Sequence, residues 1–266
     1  YEITHATAAT WLAFDLAPKK SCCYRQTDVP EVTELAWYLS CFFPYQRLKL
    51  AHSFKDKVEN LKDINSGLFS YPMLMSADIL IYDANIVPVG KDQLQHLEMT
   101  RDVASRFNNL MGETFIIPEA KIQDYSNYVT GTDGQKMSKS KGNTIDIFVD
   151  DKSLKKQIMK IQTKSLSVDE VKNPNDCNVF KLYKIIASED DVKNLSKRYT
   201  QGGLGYGEAK EILYSEIINK YAKNRKKFFE LMDDKQGVED LLIDGAKKAR
   251  VQAQKVLKRV RANVGY

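Results

Sequence analysis

Apolar positions recur at helical spacing along most of this chain, while strand-like runs are few and confined to its first half. Ala6, Ala9, Ala13 and Leu16 predict a helix over 3–16, closed by Pro18 and the lysines beside it. Cys22-Cys23-Tyr24-Arg25 is short enough for a buried strand end. Asp28-Val29-Pro30-Glu31 then predicts a helix start, with Asp28 as the cap, Pro30 near the first turn and Glu31 three residues after the cap. That helix runs to about Phe43 and lines up Val32, Leu35, Ala36, Leu39 and Phe42 as one stripe. Core packing is its expected use; a subunit interface is the alternative, with Phe43-Pro44-Tyr45 adding bulk at the exit. The charged run after His52 reads as a solvated connector with some helix, and His52 as structural.

The stretch from Tyr71 to Tyr82 predicts a helix with Pro72 at its first position, and Tyr71, Met75, Asp78 and Tyr82 then share a face. Asp83-Ala84-Asn85 stops it, Ile86 to Val89 form a short strand, and Gly90-Lys91-Asp92-Gln93 turn into a helix near 94–107. This is α/β alternation, and in open parallel sheets ligands bind where strand ends meet helix starts, which makes the turn a candidate site. Beyond Phe148 the pattern changes to long charged helices over 153–160, 177–187, 206–227 and 238–261. The chain therefore divides into an α/β domain over 1–148 and a helical domain over 149–266, its last helix able to pack back on the first domain. Gly202 to Gly207 follow a helical stretch ending near Tyr199, so they read as a helix-to-helix loop and not as a nucleotide loop.

Composition narrows the class. A chain of 266 residues with 43% hydrophobic and 28% charged residues can bury a substantial core. The net charge of +5 suits a partner carrying phosphates without requiring one. Cys22, Cys23, Cys41 and Cys177 have no C-x-x-C spacing, which points to reduced thiols and away from a cysteine-bound metal. No apolar run is long enough to span a membrane and no signal peptide opens the chain, so the expectation is a cytoplasmic protein.

Two stretches carry candidate chemistry. Asp78 is a carboxylate on an otherwise apolar helix face, costly unless it is paired. It serves either as a structural acid reaching a backbone amide or lysine, or as the lone acceptor in an aromatic and thioether pocket, which suits a flat ring with one N–H. Such a site rejects an analogue without the donor by roughly 10⁴ to 10⁵. The second stretch is Gly131-Thr132-Asp133-Gly134 followed by Lys136-Met137-Ser138-Lys139-Ser140 and Lys141-Gly142-Asn143. Its ammonium groups, hydroxyls and glycines suit a mobile loop that closes over a polyphosphate, although the composition alone also describes a solvated turn.

Lys136-Met137-Ser138-Lys139-Ser140 is the signature loop of the class I aminoacyl-tRNA synthetases, and the chain resembles their tryptophanyl branch, bacterial type, from about Tyr24 through Phe148 and more loosely to its end. The resemblance implies a Rossmann-like parallel-sheet catalytic domain, a helical domain that contacts the tRNA anticodon region, and a homodimer. It implies that Asp78 accepts the indole N–H of L-tryptophan, that Met75, Val87 and Val89 wall the pocket, and that Tyr71 and Gln93 approach the amino acid's polar end. Gly90, Lys91 and Asp92 match the nucleotide-binding turn, where the acid can bond ribose hydroxyls; capping the helix it precedes is the lesser alternative for Asp92. Val129, Lys136, Met137, Ser138, Lys139 and Ser140 are placed at ATP, with Lys136 and Lys139 stabilising charge on the leaving pyrophosphate together with Mg²⁺; no protein metal site is implied. The implied partners are ATP, tryptophan and tRNA(Trp), not DNA. Class I enzymes carry a second signature, His-x-Gly-His or a variant, that nothing here matches: His5 in Ile3-Thr4-His5-Ala6-Thr7 lacks the glycine. The expectation is that an amino-terminal segment lies outside this sequence. A tyrosyl-tRNA synthetase and a noncatalytic RNA-binding paralogue are the alternatives.

Overall fold

A computed structural model describes residues 2–17, 20–50, 65–122 and 129–266. Pro18 and the connector containing His52 lie outside the described residues. In chain order the elements are α1 Glu2–Ala13, α2 Glu31–Phe42, α3 Tyr45–Leu48, α4 Ser66–Leu80, β1 Ile86–Val89, α5 Leu94–Met111, β2 Glu119–Ile122, α6 Asp151–Met159, α7 Asn178–Ile186, α8 Glu189–Gln201, α9 Tyr206–Asp233 and α10 Lys235–Val264. They form two compact units, one from residues 17–125 and 236–266, the other from 1–16 and 126–235. The helical segment over 149–266 thus contributes to both.

In the unit of residues 17–125 and 236–266, α2 buries Val32, Leu35 and Leu39 and keeps Ala36 and Phe42 half-buried against the same core, as the stripe predicts. Its start differs from expectation. Asp28 caps nothing: it lies in a 3-10 turn, Gln26–Asp28, and accepts from Arg25 Nε at 2.9 Å. Pro30 takes the cap position without a side-chain bond, because a guanidinium offers that carboxylate a stronger partner than an amide does. Cys22 to Arg25 make no strand; the segment is irregular and leads into the turn. On the opposite face of α2, Trp37 is 70% exposed, and Tyr45 beyond its end is 59% exposed.

α4 begins earlier than predicted, at Ser66, with Pro72 inside the helix. The Asn65 side chain accepts from Leu68 N at 2.9 Å, which nucleates the extra turn, and Phe69 on that turn packs against the core. The helix ends at Leu80, and the turn after it closes at Asp83, which has a left-handed φ of 52° and accepts from the Arg259 guanidinium at 2.6 and 3.1 Å. β1 and β2 pair in parallel with Val87 opposite Ala120 and Val89 opposite Ile122, and α5 supplies the crossover that a parallel pair requires. α5 is joined to α4 through Ser76 Oγ and Thr100 Oγ1, 2.9 Å apart in a buried contact. The last helix, α10, completes this core with Ala249, Ala253, Val256, Leu257 and Val260, while Arg250 and Arg261 pair with Glu31 and Glu34 of α2.

Among its described residues, the unit of residues 1–16 and 126–235 has two apolar clusters. In the larger, α6, α7, α8 and α9 bury Leu154, Ile158, Phe180, Leu195, Tyr199 and Leu213. In the smaller, Ala9 and Ala13 of α1 pack on Phe228 of α9. Leu16, placed on the α1 stripe by spacing, lies past the end of that helix at Ala13. Lys172 is only 2% exposed, yet its ammonium group donates to the carbonyls of Ser167, Val168 and Glu170, which fixes the loop before α7. Gly202 to Gly205 connect α8 to α9, as the helix-to-helix reading expects. No described helix is long and apolar enough to cross a membrane, and the four cysteines are free.

Candidate functional site

The residues of the two candidate stretches fall in different units. On α4, Tyr71, Met75 and Asp78 lie one and two turns apart and are all half-buried, so the expected face exists. Asp78 Oδ2 accepts from Gln26 Nε2 at 2.6 Å. Burial pushes the Asp78 carboxyl up from its ordinary value, and the Gln26 hydrogen bond offsets part of that. Tyr24 and Tyr82 meet edge to face at 5.9 Å beside it, and burial raises both phenols. Tyr71 Oη lies 2.7 Å from His96 Nε2, with the rings 5.4 Å apart, and this pair ties α4 to the first turns of α5.

Val87 and Val89 share one face of β1, with Val89 buried and Val87 half-buried. Gly90 then opens a 3-10 turn, Lys91–Gln93, that feeds directly into α5. Lys91 and Asp92 are exposed there. Asp92 does not cap α5 with its side chain; Gln93 occupies the cap position and its amide donates to Asp92 Oδ2 at 2.9 Å. The amide of Gln93 is thus drawn onto the acid.

The second stretch is a built loop. An antiparallel bridge between Thr130 and Lys136 closes a tight turn, with Gly131 N donating to Gln135 O at 2.7 Å and Met137 N to Val129 O at 2.8 Å. Ser138, in extended backbone, leads into a short 3-10 turn, Lys139–Lys141, that ends at Gly142, left-handed at φ 62°. The organiser is Asn143, 3% exposed. Its Oδ1 accepts from Ser138 N at 2.8 Å, and its amide donates to Asp133 Oδ1 at 2.8 Å and to Lys136 O at 3.1 Å. Gly131 passes so close to this amide that a β-carbon would overlap it, which explains the glycine there. The Asn143 bond and the Gln135 backbone amide hold the Asp133 carboxyl below its ordinary value.

Around that core the side chains sort by exposure. Lys136, Lys139 and Ser140 are exposed, Ser138 is half-buried with its Oγ 2.8 Å from Ser140 Oγ, and Met137 turns inward against the apolar cluster. Val129 is 43% exposed. Lys139 and Met137 line a cleft of about 590 Å³ with Thr7, Thr10 and Phe14 of α1 and Thr144 to Phe148. Two further grooves, of about 320 and 560 Å³, share Asn175, Phe180 and Lys184; Lys193 and Lys197 line the first, and Lys181 lines the second, which reaches Thr130 and Gly134 at the base of the loop. Among the described residues no cluster of three His, Cys, Asp or Glu side chains is placed to hold a metal.

A family model described as tRNA synthetases class I (W and Y) matches residues 2–222. A tryptophan–tRNA ligase of Campylobacter jejuni is 47% identical over 259 residues, 97% of this chain and 81% of that protein. The chain belongs to the tryptophanyl-tRNA synthetases of class I. The synthetase of Rhodopirellula baltica is 45% identical over 96% of this chain and 79% of its own. Among solved structures, a Campylobacter jejuni tryptophanyl-tRNA synthetase complexed with ADP and tryptophan superposes with a TM-score of 0.93 at 45% identity, over 98% of this chain and 82% of that one. A Mycoplasma pneumoniae tryptophanyl-tRNA synthetase, at 24% identity and a TM-score of 0.74, shares the fold.

Three residues of this synthetase escape sequence reasoning. Gln26 and His96 act across 52 and 25 positions of chain, beyond the reach of local patterning. Asn143 is visible only as the neighbour of the lysine-serine run, and a buried amide in a polar loop leaves no periodic signal.

Proposed function

We propose that this chain activates L-tryptophan with ATP to tryptophanyl-adenylate and pyrophosphate, and then transfers tryptophan to tRNA(Trp). In the first step a tryptophan carboxylate oxygen bonds to the α-phosphorus while its bond to the bridging oxygen of pyrophosphate breaks. In the second a ribose hydroxyl at the tRNA end attacks the activated carbonyl and AMP leaves. The observation that carries the reading is Asp78: an acceptor half-buried beside Tyr71 and Met75 on one helix face, poised for a flat ring with a single N–H. Val87 and Val89 supply apolar wall, and Tyr71 and Gln93 polar contacts for the amino acid. Gly90, Lys91 and Asp92 would meet the nucleotide ribose.

Lys136 and Lys139 would meet the phosphates, with Ser138 and Ser140 adding hydroxyl donors and Val129 touching adenine. Charge that develops on the departing pyrophosphate is stabilised by ammonium groups already positioned on a tied loop. Mg²⁺ would ride on the polyphosphate, since a small hard cation keeps phosphate oxygens and water. The helical segment over 149–266 would meet the tRNA anticodon region, and the lysine-lined grooves on α7 and α8 favour a phosphate backbone. A second copy covering Trp37 and Tyr45 would account for their exposure, and the setting is the cytoplasm.

The test is ATP–pyrophosphate exchange with tryptophan and with tyrosine, alongside calorimetric tryptophan binding to the wild type and to Asp78→Ala. Exchange is expected with tryptophan only, and binding is expected to vanish in the variant. Equal exchange with tyrosine, or full affinity in Asp78→Ala, would overturn the assignment.

A further inference from the structure

We infer that Gln26 is a specificity-determining positioning residue: its side-chain amide holds one oxygen of Asp78 and leaves the other for the substrate's ring N–H. The inference rests on the role of Asp78 proposed above. An ionised carboxylate can only accept, so the group that Gln26 presents at 2.6 Å is its NH₂ and not its carbonyl. With Oδ2 engaged, the plane of the carboxylate is set and the lone pairs of Oδ1 remain.

The chemistry of the holder matters. A cation at position 26 would neutralise Asp78, and a neutral indole N–H competes poorly with an ammonium for the same carboxylate. An apolar residue would leave a half-buried carboxylate short of donors, which favours its neutral form, and a protonated acid is a poorer acceptor. A neutral amide avoids both outcomes. Position 26 is itself held firmly. Gln26 opens the 3-10 turn Gln26–Asp28, and Arg25 beside it donates from Nε to Asp28 at 2.9 Å and from both terminal nitrogens to Glu239 of α10 at 2.9 and 2.6 Å. The exposed Gln26 side chain therefore projects from a braced turn.

The titratable groups beside the acid are Tyr24 before the turn and Tyr82 beyond α4, with Glu31 of α2 next to Tyr82 and His96 of α5 against Tyr71. Both phenols are raised and stay neutral where a carboxylate titrates, and Glu31 is tied to Arg250. All of these remain in place when residue 26 alone is changed. The displacement of the acid limb between variants therefore reads the Gln26 contact.

The experiment measures kcat and KM for tryptophan against pH, in ATP–pyrophosphate exchange by the intact enzyme, for wild type, Gln26→Met and Gln26→Lys. Both variants should raise KM about tenfold with kcat near wild type, as expected for one hydrogen bond to a charged group. The acid limb of kcat/KM should move to higher pH in Gln26→Met, which loses the donor that keeps Asp78 ionised, and to lower pH in Gln26→Lys, which adds a cation. A merely structural turn residue would not split the limb in opposite directions. Wild-type KM and limb in Gln26→Met would overturn the inference. Asp78→Asn is the companion: if it binds tryptophan normally, the role of Asp78 falls; if it fails to bind while the Gln26 variants behave as wild type, only the role of Gln26 falls.

Discussion

Asn143→Ala tests how the lysine loop is held. The substitution removes an acceptor from Ser138 N and a donor to Lys136 O, bonds of 2.8 and 3.1 Å made by a side chain that is 3% exposed. At about 1 kcal/mol for each neutral bond the loss is about 2 kcal/mol. The third bond, to the half-buried Asp133 carboxylate, can only add to that figure. All of these partners lie within ten residues of Asn143, so the cost falls on the order of the loop and not on the apolar clusters. A loss of about 2 kcal/mol shifts the ratio of ordered to open loop roughly thirtyfold, and for a mobile loop in which the two are near balance the apparent affinity for a ligand that needs the ordered form falls by close to that factor. In ATP–pyrophosphate exchange kcat/KM for ATP should therefore drop about thirtyfold, while calorimetric tryptophan affinity and the melting temperature hold. Asn143→Asp keeps the acceptor for Ser138 N but sets a carboxylate against Asp133, so it should lose activity at neutral pH and regain part of it in acid, as one of the two carboxyls takes up a proton. An alanine variant within twofold of wild type for ATP would refute the idea that this amide organises the loop.

Three further outcomes follow from the same geometry. Lys139→Ala should lower kcat for adenylation about a hundredfold with little change in tryptophan affinity, and unchanged pyrophosphate exchange would remove that lysine from the chemistry. Asp78→Asn should abolish tryptophan binding yet stabilise the fold by on the order of 1 kcal/mol at neutral pH. The sign follows from the raised carboxyl: the native state resists ionisation, so the penalty is present above the folded-state pKa and disappears below the unfolded one, and the gain in thermal stability should fade on acidification towards the ordinary carboxylate range. Lys181→Ala with Lys184→Ala should weaken tRNA binding and reduce its salt dependence by one to two in the log–log slope, roughly one for each phosphate no longer neutralised, with tryptophan activation intact; an unchanged slope would clear that groove of any role.

Local chemistry made much of the fold readable. The β1 strand and the α5 helix after it follow from four apolar residues and a glycine turn, and the α2 stripe lies where its spacing puts it. Expectation failed where a distant or stronger partner intervened. Asp28 has every local qualification for a helix cap, but the guanidinium of Arg25 takes it. Pro72 suggests a helix start, but Asn65 caps an earlier turn and the core accepts Phe69 from it. In the site, the Asp78 face and the lysine-serine run are composition written into sequence, whereas the Gln26, His96 and Asn143 contacts exist only once the backbone has folded.

The order in which the two units are completed has a consequence for biosynthesis. Their boundaries make the polypeptide pass from one to the other three times, at residues 16–17, 125–126 and 235–236. The apolar centre of the unit that opens at residue 17 lacks Ala249 to Val260 until they emerge, so a ribosome delivers its closing helix some two hundred residues after α2. A nascent chain halted before Lys235 would leave Leu35 and Leu39 without that cover, a surface for chaperones to bind. Loss of the thirty residues of α10, Lys235–Val264, should therefore appear first as poor solubility in the cell, before any defect in chemistry is measured.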